Sequence, residues 1–333
     1  MASGFEQRHD NDIAGLLWIH RFGWLRSLEL GRLMWPHDSY SRTRADRIIR
    51  GWLARRLVIA RQLPDGARRA VVLSESGARL LQDAGYTSAR SGKDWGETDG
   101  KRWWPNHTWR HDLIAAGILC LLFEDGYAIH SEKMLRRNNP YLTKIPDGMA
   151  SKGKRVIWLE VESARKTGKA MRELASALEV VTSGECGAVS GIQPNVAMVA
   201  YVESARDERG HVLNHRQRVI AAIQKTSRQD VEVTWARCQL VGCGVANVTD
   251  EKELVPVNKA SRILEVLNAS GWREDEFDGC LVAIYDGIRA IIWEDKVMGW
   301  SYLLEGKDVP YSAHQADNMT AAKRGCASLL AAR

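Results

Sequence analysis

Several common patterns are missing from this sequence of 333 residues. It has no GxxxxGK(S/T) phosphate-binding loop, so ATP hydrolysis is not indicated. No apolar run approaches the roughly eighteen residues that a membrane-spanning helix needs, and no secretory signal pattern is present. We therefore expect a cytoplasmic protein without membrane insertion.

Cysteine is scarce and follows no metal-binding pattern. None of the six cysteines forms a CxxC motif, and most of them lie in apolar runs, which is typical of buried free thiols. Cys238 and Cys243 have a poor spacing for zinc. We therefore predict free thiols and no zinc site.

An excess of positive charge is missing from the last two thirds of the chain. Residues 1–110 carry 19 lysines and arginines against 12 acidic residues, whereas residues 111–333 carry 28 against 29. Nine arginines fall between residues 42 and 69. A local excess of this kind is typical of a surface that contacts nucleic acid.

The first ninety residues predict three helices, a basic hairpin and a closing helix. Helical spacing of apolar residues and strand-forming runs beside the turn signal Pro64-Asp65-Gly66 define these elements. In order, they are helices over 13–21, 25–33 and 42–55, strands over 57–61 and 70–73, and a helix over 77–84. This order predicts a winged helix-turn-helix domain over residues 9–86.

Seven arginines on the third helix and the hairpin are candidate DNA contacts. The polar side of the helix, which suits the major groove, carries Arg42, Arg44, Arg47 and Arg50. The hairpin, which would contact phosphates or the minor groove, carries Arg61, Arg68 and Arg69. The alternative is that these arginines only solvate a helix face, but their position on the recognition elements favours double-stranded DNA as a partner.

Residues 87–105 are predicted to be a linker, because they contain three glycines and several polar residues. The segment ends in Lys101-Arg102-Trp103-Trp104. Two interpretations stay open. The tryptophans stack on unpaired bases, or they pack one domain against the other.

Three carboxylates are predicted to converge at the end of one β-hairpin. Residues 156–162 read as a strand whose period-2 alternation places Glu160 and Glu162 on one face. The basic segment 151–155 reads as the hairpin tip, so Asp147 lies on the preceding strand, and Lys166 follows shortly after. Carboxylate oxygens are the ligands that a hard divalent cation prefers. The alternative is that Glu160 and Glu162 occupy the solvent face of an amphipathic strand.

The elements around this hairpin favour the metal site. In order, we predict a helix from Thr108, a strand over 127–130, the acidic hairpin, a helix over 166–181, a strand over 195–202, a helix over 212–225 and a strand over 231–241. This series predicts a mixed α/β sheet over residues 106–250, with the acidic strand in its middle.

Residues 260–333 predict a small α+β module with strands over 281–285, 288–293 and 299–304 and a helix over 313–330. No chemistry is visible in it, and DNA binding, dimerisation and docking to a transfer apparatus all stay open. The whole chain is therefore predicted to be an α+β multidomain protein.

The motif Pro146-Asp147 followed by Glu160-Val161-Glu162 resembles that of the PD-(D/E)XK, or restriction-endonuclease-like, nucleases. Glu162 stands where the usual motif has a lysine, and Lys166 is the candidate for the displaced positive charge. Together with the predicted winged helix, the chain resembles the replication-relaxation proteins and MobC-class plasmid relaxases. The segments that carry this likeness include 22–25, 63–66, 73–78 and 109–113.

The resemblance implies a site-specific endonuclease that nicks one DNA strand at an origin of transfer or replication with Mg²⁺ or Mn²⁺. It implies Asp147, Glu160 and Glu162 as metal ligands, Lys166 as the catalytic lysine, and His111 with Asp112 near the site. Other mobilization or transfer proteins and a second copy of the chain are the implied protein partners. The alternative function is a non-catalytic origin-binding protein with a decayed nuclease domain.

Two further expectations concern the site itself. The three carboxyl groups should lie within about 6 Å of one another, close enough to share one hydrated ion. Crowding of like charges should raise their pKa values. If catalysis passes through a covalent DNA adduct, the candidate nucleophiles are Tyr127, Tyr141 and Tyr201.

Overall fold

The computed structural model describes residues 4–64, 68–99, 102–140, 144–164, 166–202, 210, 212–241, 244–257, 259–269, 271–274, 280–295, 299–306, 309 and 313–332. The chain is a mixed α+β protein, as predicted. It forms two compact units. The first comprises Met1–Val219 with Val231–Leu254, and the second comprises Ile220–Asp230 with Val255–Arg333.

The N-terminal part of the first unit joins helices to a small antiparallel sheet of order β1-β3-β2. Its elements are α1 (Gly4–Phe22), β1 (Leu25–Arg26), α2 (Ser27–Met34), α3 (Ser41–Ala54), β2 (Val58–Gln62), β3 (Arg69–Leu73) and α4 (Glu75–Asp83). The prediction of a helix starting at residue 25 was wrong by two residues. Leu25 and Arg26 pair with β3, and Arg26 forms a buried ion pair with Glu29.

Apolar spacing and caps explain why these helices form. The helical positions Ala45, Ile49 and Trp52 of α3 are buried in the core. The side chain of Ser74 accepts a hydrogen bond from the Gly77 N–H and so caps α4. The sequence predicted a turn at Pro64-Asp65-Gly66. Pro64 is described, but residues 65–67 lie outside the described residues.

The predicted linker holds a two-stranded sheet of β4 (Glu97–Asp99) and β5 (Arg102–Trp104). Trp95 stacks on Trp24 with ring centroids 4.8 Å apart and contacts Trp103 at 5.1 Å. Trp103 therefore packs inside the protein, which supports the packing interpretation for that residue. Trp104 is 41 % exposed and lies under the guanidinium of Arg102.

A six-stranded mixed sheet of order β11-β10-β9-β8-β7-β6 forms the rest of the first unit. The next elements along the chain are α5 (Trp109–Glu124), β6 (Ala128–Ser131), α6 (Glu132–Asn138), β7 (Gly148–Lys152), β8 (Arg155–Glu162), α7 (Gly168–Thr182), β9 (Val196–Val202), α8 (His215–Thr226), β10 (Val231–Val241) and β11 (Gly244–Val255). The part of α8 from Ile220 onward and the last residue of β11 belong to the second unit. Strands β8, β9 and β10 are parallel, whereas β6–β7 and β7–β8 are antiparallel. The predicted series is present with two additions, α6 and β11, and the acidic strand β8 is an inner strand as expected.

The second unit is built on a five-stranded antiparallel sheet whose strands follow chain order. Its elements are α9 (Lys259–Ala269), β12 (Arg273–Glu274), β13 (Leu281–Tyr285), β14 (Ile288–Asp295), β15 (Gly299–Glu305), β16 (His314–Ala316) and α10 (Met319–Ala331). The helix predicted from residue 313 begins at Met319, since residues 314–316 join the sheet as β16. Helix α10 packs closely against β15, because a Cβ on Gly325 would come within 2.2 Å of the ring of Tyr302 on that strand.

Four cysteines, Cys120, Cys186, Cys238 and Cys326, are buried free thiols, as predicted. Cys243 lies outside the described residues. No helix in the described ranges combines the length and apolar character that a membrane crossing requires.

Candidate functional site

Strand β8 divides its side chains between two faces of the sheet. Leu159 and Val161 belong to the core that also contains α5. On the other face, the Trp158 Nε1–H donates to Oε1 of Glu160 at 2.8 Å. Glu160 and Glu162 are only 0 % and 1 % exposed. The alternative that these two carboxylates occupy a solvent face is therefore wrong.

Asp147 lies immediately before β7 and is fixed against the end of β8. Its N–H donates to the Leu159 carbonyl oxygen at 2.9 Å, and its Oδ2 accepts from the Val161 N–H at 2.7 Å. The next residue, Gly148, leaves room for α5, because a Cβ there would lie 2.8 Å from Leu119 Cδ1. The hairpin thus holds Asp147 beside the strand that carries the two glutamates.

His111, in the first turn of α5, bridges two aspartates. Its Nε2 lies 3.0 Å from Asp147 Oδ2, and its Nδ1 lies 3.4 Å from Asp112 Oδ1. Burial opposes the charged imidazolium, but the hydrogen bonds and charges of Asp112 and Asp147 outweigh it and raise the pKa of His111 to about 10. His111 therefore contributes a positive charge at neutral pH.

Two lysines hold the two glutamates. Lys144 Nζ lies 2.7 Å from Glu160 Oε2, and Lys166 forms an ion pair with Glu162. Lys166 was predicted from the sequence, whereas Lys144 was missed. Lys144 precedes the hairpin in a segment without periodicity, so only its proximity to Pro146-Asp147 in the sequence could have indicated it. The structure therefore places two lysines against the glutamates, where the sequence analysis named one.

The pKa values of the three carboxyl groups diverge. Burial, followed by the charge of Asp147, raises the pKa of Glu160 to about 7 against the opposing effect of Lys144. Burial also raises the pKa of Glu162 despite Lys166. Burial opposes ionisation of Asp147 as well, but His111 and Lys144 hold its pKa below the usual value. The prediction of raised values is therefore right for the glutamates and wrong for Asp147, and burial outweighs like-charge crowding as the cause.

The donor set suits a hard cation, although each carboxylate is held by a cationic side chain. Among the described residues, no group of three or more His, Cys, Asp or Glu side chains is arranged to hold a metal ion. Oδ1 of Asp147 and Oε2 of Glu162 nevertheless accept no hydrogen bond from any described part of the chain. Hard oxygens of this kind fit Mg²⁺ or Mn²⁺, provided that Glu160 exchanges Lys144 for the metal.

Two further residues lie beside the acidic strand. The parallel register pairs Glu162 of β8 with Tyr201 of β9, so their side chains share a face. His215, at the start of α8, is buried, and burial with the charges of Arg218 and Lys166 lowers its pKa to about 4. Sequence reasoning missed His215, since a histidine that starts a helix carries no distinctive pattern. Of the other tyrosines, Tyr127 lies under Lys152, and Tyr141 is outside the described residues.

Six of the seven candidate DNA-contacting arginines form two sets. Arg42 and Arg50 of α3 and Arg68 and Arg69 of the hairpin line one groove of about 560 Å³. Arg44 and Arg47 are exposed on α3, where Arg44 pairs with Asp38 at 3.1 Å.

Arg61 points elsewhere than predicted. It donates to the Lys93 carbonyl oxygen at 2.9 Å and lies over the Trp103 ring at 5.4 Å. Its guanidinium therefore supports the packing of the linker and is not placed in the groove with the other hairpin arginines.

The site described above consists of Asp147, Glu160 and Glu162 with their cationic partners His111, Lys144 and Lys166. Glu160 and Glu162 lie on the central strand β8 and His111 lies on α5, whereas Asp147, Lys144 and Lys166 lie in the segments that flank β7 and β8. Comparisons of the chain with protein-family models, curated proteins and solved structures return no match.

Proposed function

We propose that this chain is a DNA endonuclease that binds a duplex through its N-terminal elements and nicks one strand with a divalent metal at Asp147, Glu160 and Glu162. The observation that supports the proposal is a set of three acid–cation pairs at or beside the carboxyl end of β8, namely His111–Asp147, Lys144–Glu160 and Lys166–Glu162. These charges influence one another, since Asp147 and Lys144 both affect the pKa values of Glu160 and Glu162. Networks that shift pKa values in this way cluster at functional sites.

Asp147 and Glu160, with Glu162 beside them, would hold Mg²⁺ or Mn²⁺. The bound metal would lower the pKa of a water molecule and offset the charge that develops on the phosphodiester. Lys144 pairs with Glu160, so a metal bound at Glu160 would displace this lysine, whose ammonium group would then be available to a phosphate. Lys166 offsets part of the effect of burial on the pKa of Glu162 and so favours its ionised form, and His111 orients Asp147 through Oδ2 while Oδ1 stays available.

The N-terminal elements supply the DNA-binding surface in this proposal. We assign α3 as the recognition helix of a winged helix and the β2–β3 hairpin as its wing. The groove between them, with Arg42, Arg50, Arg68 and Arg69, offers four guanidinium groups to phosphates. Arg44 and Arg47 face outward on the same helix, in position for the major groove.

The biological role proposed here is that of a relaxase-like protein of a mobile element, acting in the cytoplasm at an origin of transfer or replication. The second unit would then dimerise or dock other mobilization proteins. These roles rest on the family resemblance of the motif and on the combination of a basic N-terminal region with an acidic sheet.

A second candidate is a non-catalytic origin-binding protein. It is favoured by the pairing of each carboxylate with a cation and by the finding that the described residues form no three-ligand group. In this case the six charges stabilise the sheet and have no chemical role.

Nicking of a supercoiled plasmid that carries the element's own origin separates the two candidates. We expect conversion to the open circle with Mg²⁺ or Mn²⁺, no conversion in EDTA, and none with Asp147→Asn. Asp83→Asn is the matched control, because Asp83 is an exposed aspartate at the end of α4. Absence of nicking by the unmodified protein with either metal would favour the non-catalytic candidate.

A further inference from the structure

A cavity of about 430 Å³ adjoins the acidic site within the first unit. The turn after α1, the loop after α4, the N-terminal half of α5 and helix α6 surround it. His111, Asp112 and Asp147 form one end, and Lys133 lines another part of the wall. We call this space the α5–α6 cavity. It is large enough for one nucleotide, and it includes a carboxylate that we propose holds the metal.

Two buried polar atoms in residues lining the cavity have no partner. Trp95 Nε1, a donor, and Asn106 Oδ1, an acceptor, form no hydrogen bond with the described residues. An unpaired buried donor or acceptor is costly, so such atoms are usually satisfied by water or by a ligand. A ligand that carries both an acceptor and a donor has the groups that these two atoms lack, and every nucleobase carries both.

The wall around these atoms is aromatic and apolar. Phe22, Trp24 and Trp95 line one part, and the small residues Ala115 and Ala116 of α5 line another. Apolar and aromatic walls of this kind bind bases with little dependence on sequence.

Lys133 of α6 supplies positive charge at the rim. It is exposed, and its ammonium forms no hydrogen bond or ion pair with the part of the chain that the structure describes. It lies beside Gly23, where a Cβ would come within 3.1 Å of Lys133 Nζ. Nearby, Arg137 Nη1 contacts His20 Nε2 at 2.7 Å, and burial with the positive charges of Arg137 and Lys133 lowers the pKa of His20 to about 4. This side of the cavity is therefore electropositive.

Four carboxylates also line the cavity, and an unpaired carboxylate would repel an anionic ligand. Glu132 is neutralised by Arg136, and Asp112 and Asp147 flank the His111 imidazolium. The remaining one, Asp94, is exposed next to Lys93. The acidic end and the electropositive end are thus distinct, as a phosphate at one end and a metal site at the other would require.

We propose that the α5–α6 cavity takes one unpaired nucleotide of the strand that is cut, with its base between Trp95 and Asn106 and a phosphate at Lys133. The proposal rests on the proposed nuclease function, because it assigns the strand that reaches Asp147. It adds that the substrate is locally single-stranded at the site of cleavage. A fully paired duplex would be held by the N-terminal groove and would leave this cavity empty.

Metal-free binding tests this assignment independently of cleavage. The probes are a fluorescein-labelled ten-nucleotide oligo-dT and a blunt-ended duplex, measured by fluorescence anisotropy in EDTA. We expect Lys133→Ala and Asn106→Leu each to weaken oligo-dT binding by about tenfold and to leave duplex binding unchanged. Lys133→Ala should also lower the slope of log K against log salt by about 0.7, the contribution of one phosphate of a single strand. Asp94→Asn should strengthen oligo-dT binding by removing repulsion.

Lys154→Ala is the matched control, since Lys154 is an exposed lysine at the tip of the β7–β8 hairpin. Lys133 is exposed, so its variant should keep the fold even if Asn106→Leu does not, and circular dichroism checks both. Unchanged oligo-dT binding in Lys133→Ala, or an equal loss for oligo-dT and duplex, would overturn the proposal. If Lys133→Ala loses oligo-dT binding while the unmodified protein shows no nicking, the cavity assignment is retained and the nuclease function is rejected.

Discussion

Lys144 Nζ lies 2.7 Å from Oε2 of Glu160, a carboxyl group with no solvent exposure. The lysine side chain is 36 % exposed, so a surface cation reaches inward to a fully buried acid. The ion pair therefore offsets part of the cost of burying the Glu160 carboxylate.

Removal of Lys144 should therefore destabilise the protein in a pH-dependent manner. Lys144→Met leaves Glu160 buried without its counter-charge. We expect this substitution to lower the free energy of unfolding by up to about 3 kcal/mol at pH 8.5, and by somewhat less because solvent partly screens Lys144. The folded-state pKa of Glu160 is raised to about 7, so below about pH 4.5 the group is protonated in both states and the cost should become small. Urea unfolding at the two pH values measures the difference, with Lys154→Met as the control. A cost independent of pH would contradict this explanation.

The imidazolium of His111 should stabilise the fold up to alkaline pH. Its pKa is raised to about 10 from an ordinary value of 6.5, so its stabilisation is fully present below pH 6.5 and is lost as pH rises toward 10. We expect His111→Gln to lower the free energy of unfolding by on the order of a few kcal/mol at pH 6 and by much less near pH 10. Thermal unfolding across this range tests the prediction. His107→Gln serves as the control, because His107 is exposed just before the same helix. An equal loss at both ends of the range would mean that His111 is uncharged in the folded protein.

Cleavage should depend on the carboxylates more strongly than on the lysines. Asp147→Asn and Glu160→Gln should abolish nicking while leaving duplex binding intact, because too few ligands remain for the metal. Lys166→Ala should lower the rate by roughly ten- to a hundredfold, since it acts through Glu162. Glu162→Lys, which restores the common motif, should keep partial activity, and Ca²⁺ should support binding without cleavage. Plasmid nicking followed over time measures each rate, and nicking that persists in both carboxylate variants would place the active site elsewhere.

Duplex binding should depend on the groove arginines and not on Arg61. Arg50→Ala and Arg69→Ala should each reduce the slope of log K against log salt by about 0.9, the value for one lost phosphate contact on B-DNA. The double substitution Arg44→Glu and Arg47→Glu on the exposed side of α3 should abolish binding. Arg61→Ala should leave the slope unchanged, because Arg61 is already engaged with Lys93 and Trp103. Anisotropy titrations at several salt concentrations provide the slopes. A large effect of Arg61→Ala with a small effect of Arg50→Ala would reverse the assignment.

Local patterns in the sequence predicted the elements that depend on local physics. Alternation placed Glu160 and Glu162 on one face, and the continuous apolar run at 195–202 predicted the parallel strand β9, because buried strands have no polar side. Leu25 and Arg26 were misassigned because helical spacing is outweighed there by pairing with β3 and by the buried Arg26–Glu29 ion pair.

The cationic half of the site was less accessible to sequence reasoning. Lys144 contacts Glu160 across sixteen residues, and its role follows from how the preceding segment lies against β8, which no periodicity encodes. The exclusion of Arg61 from the groove has the same origin, because its partners Lys93 and Trp103 lie in a distant segment. The sequence shows which charged residues the protein has, whereas tertiary packing determines which of them contact one another.

The absence of a side chain at Gly148 allows α5 to pack close to the β7–β8 hairpin, and this brings the His111 imidazole to Asp147. Since a methyl group at position 148 would meet Leu119 Cδ1 at 2.8 Å, the Leu119 side chain would have to change its position or α5 would have to move away from the β7–β8 hairpin. The bond of 3.0 Å between His111 Nε2 and Asp147 Oδ2 spans those two elements, and a hydrogen bond is lost within a few tenths of an ångström of added length. A substitution at Gly148 that moves α5 by this amount would therefore break the bond between His111 and Asp147 without altering either residue, so the electrostatics of the site depend on close packing in the core.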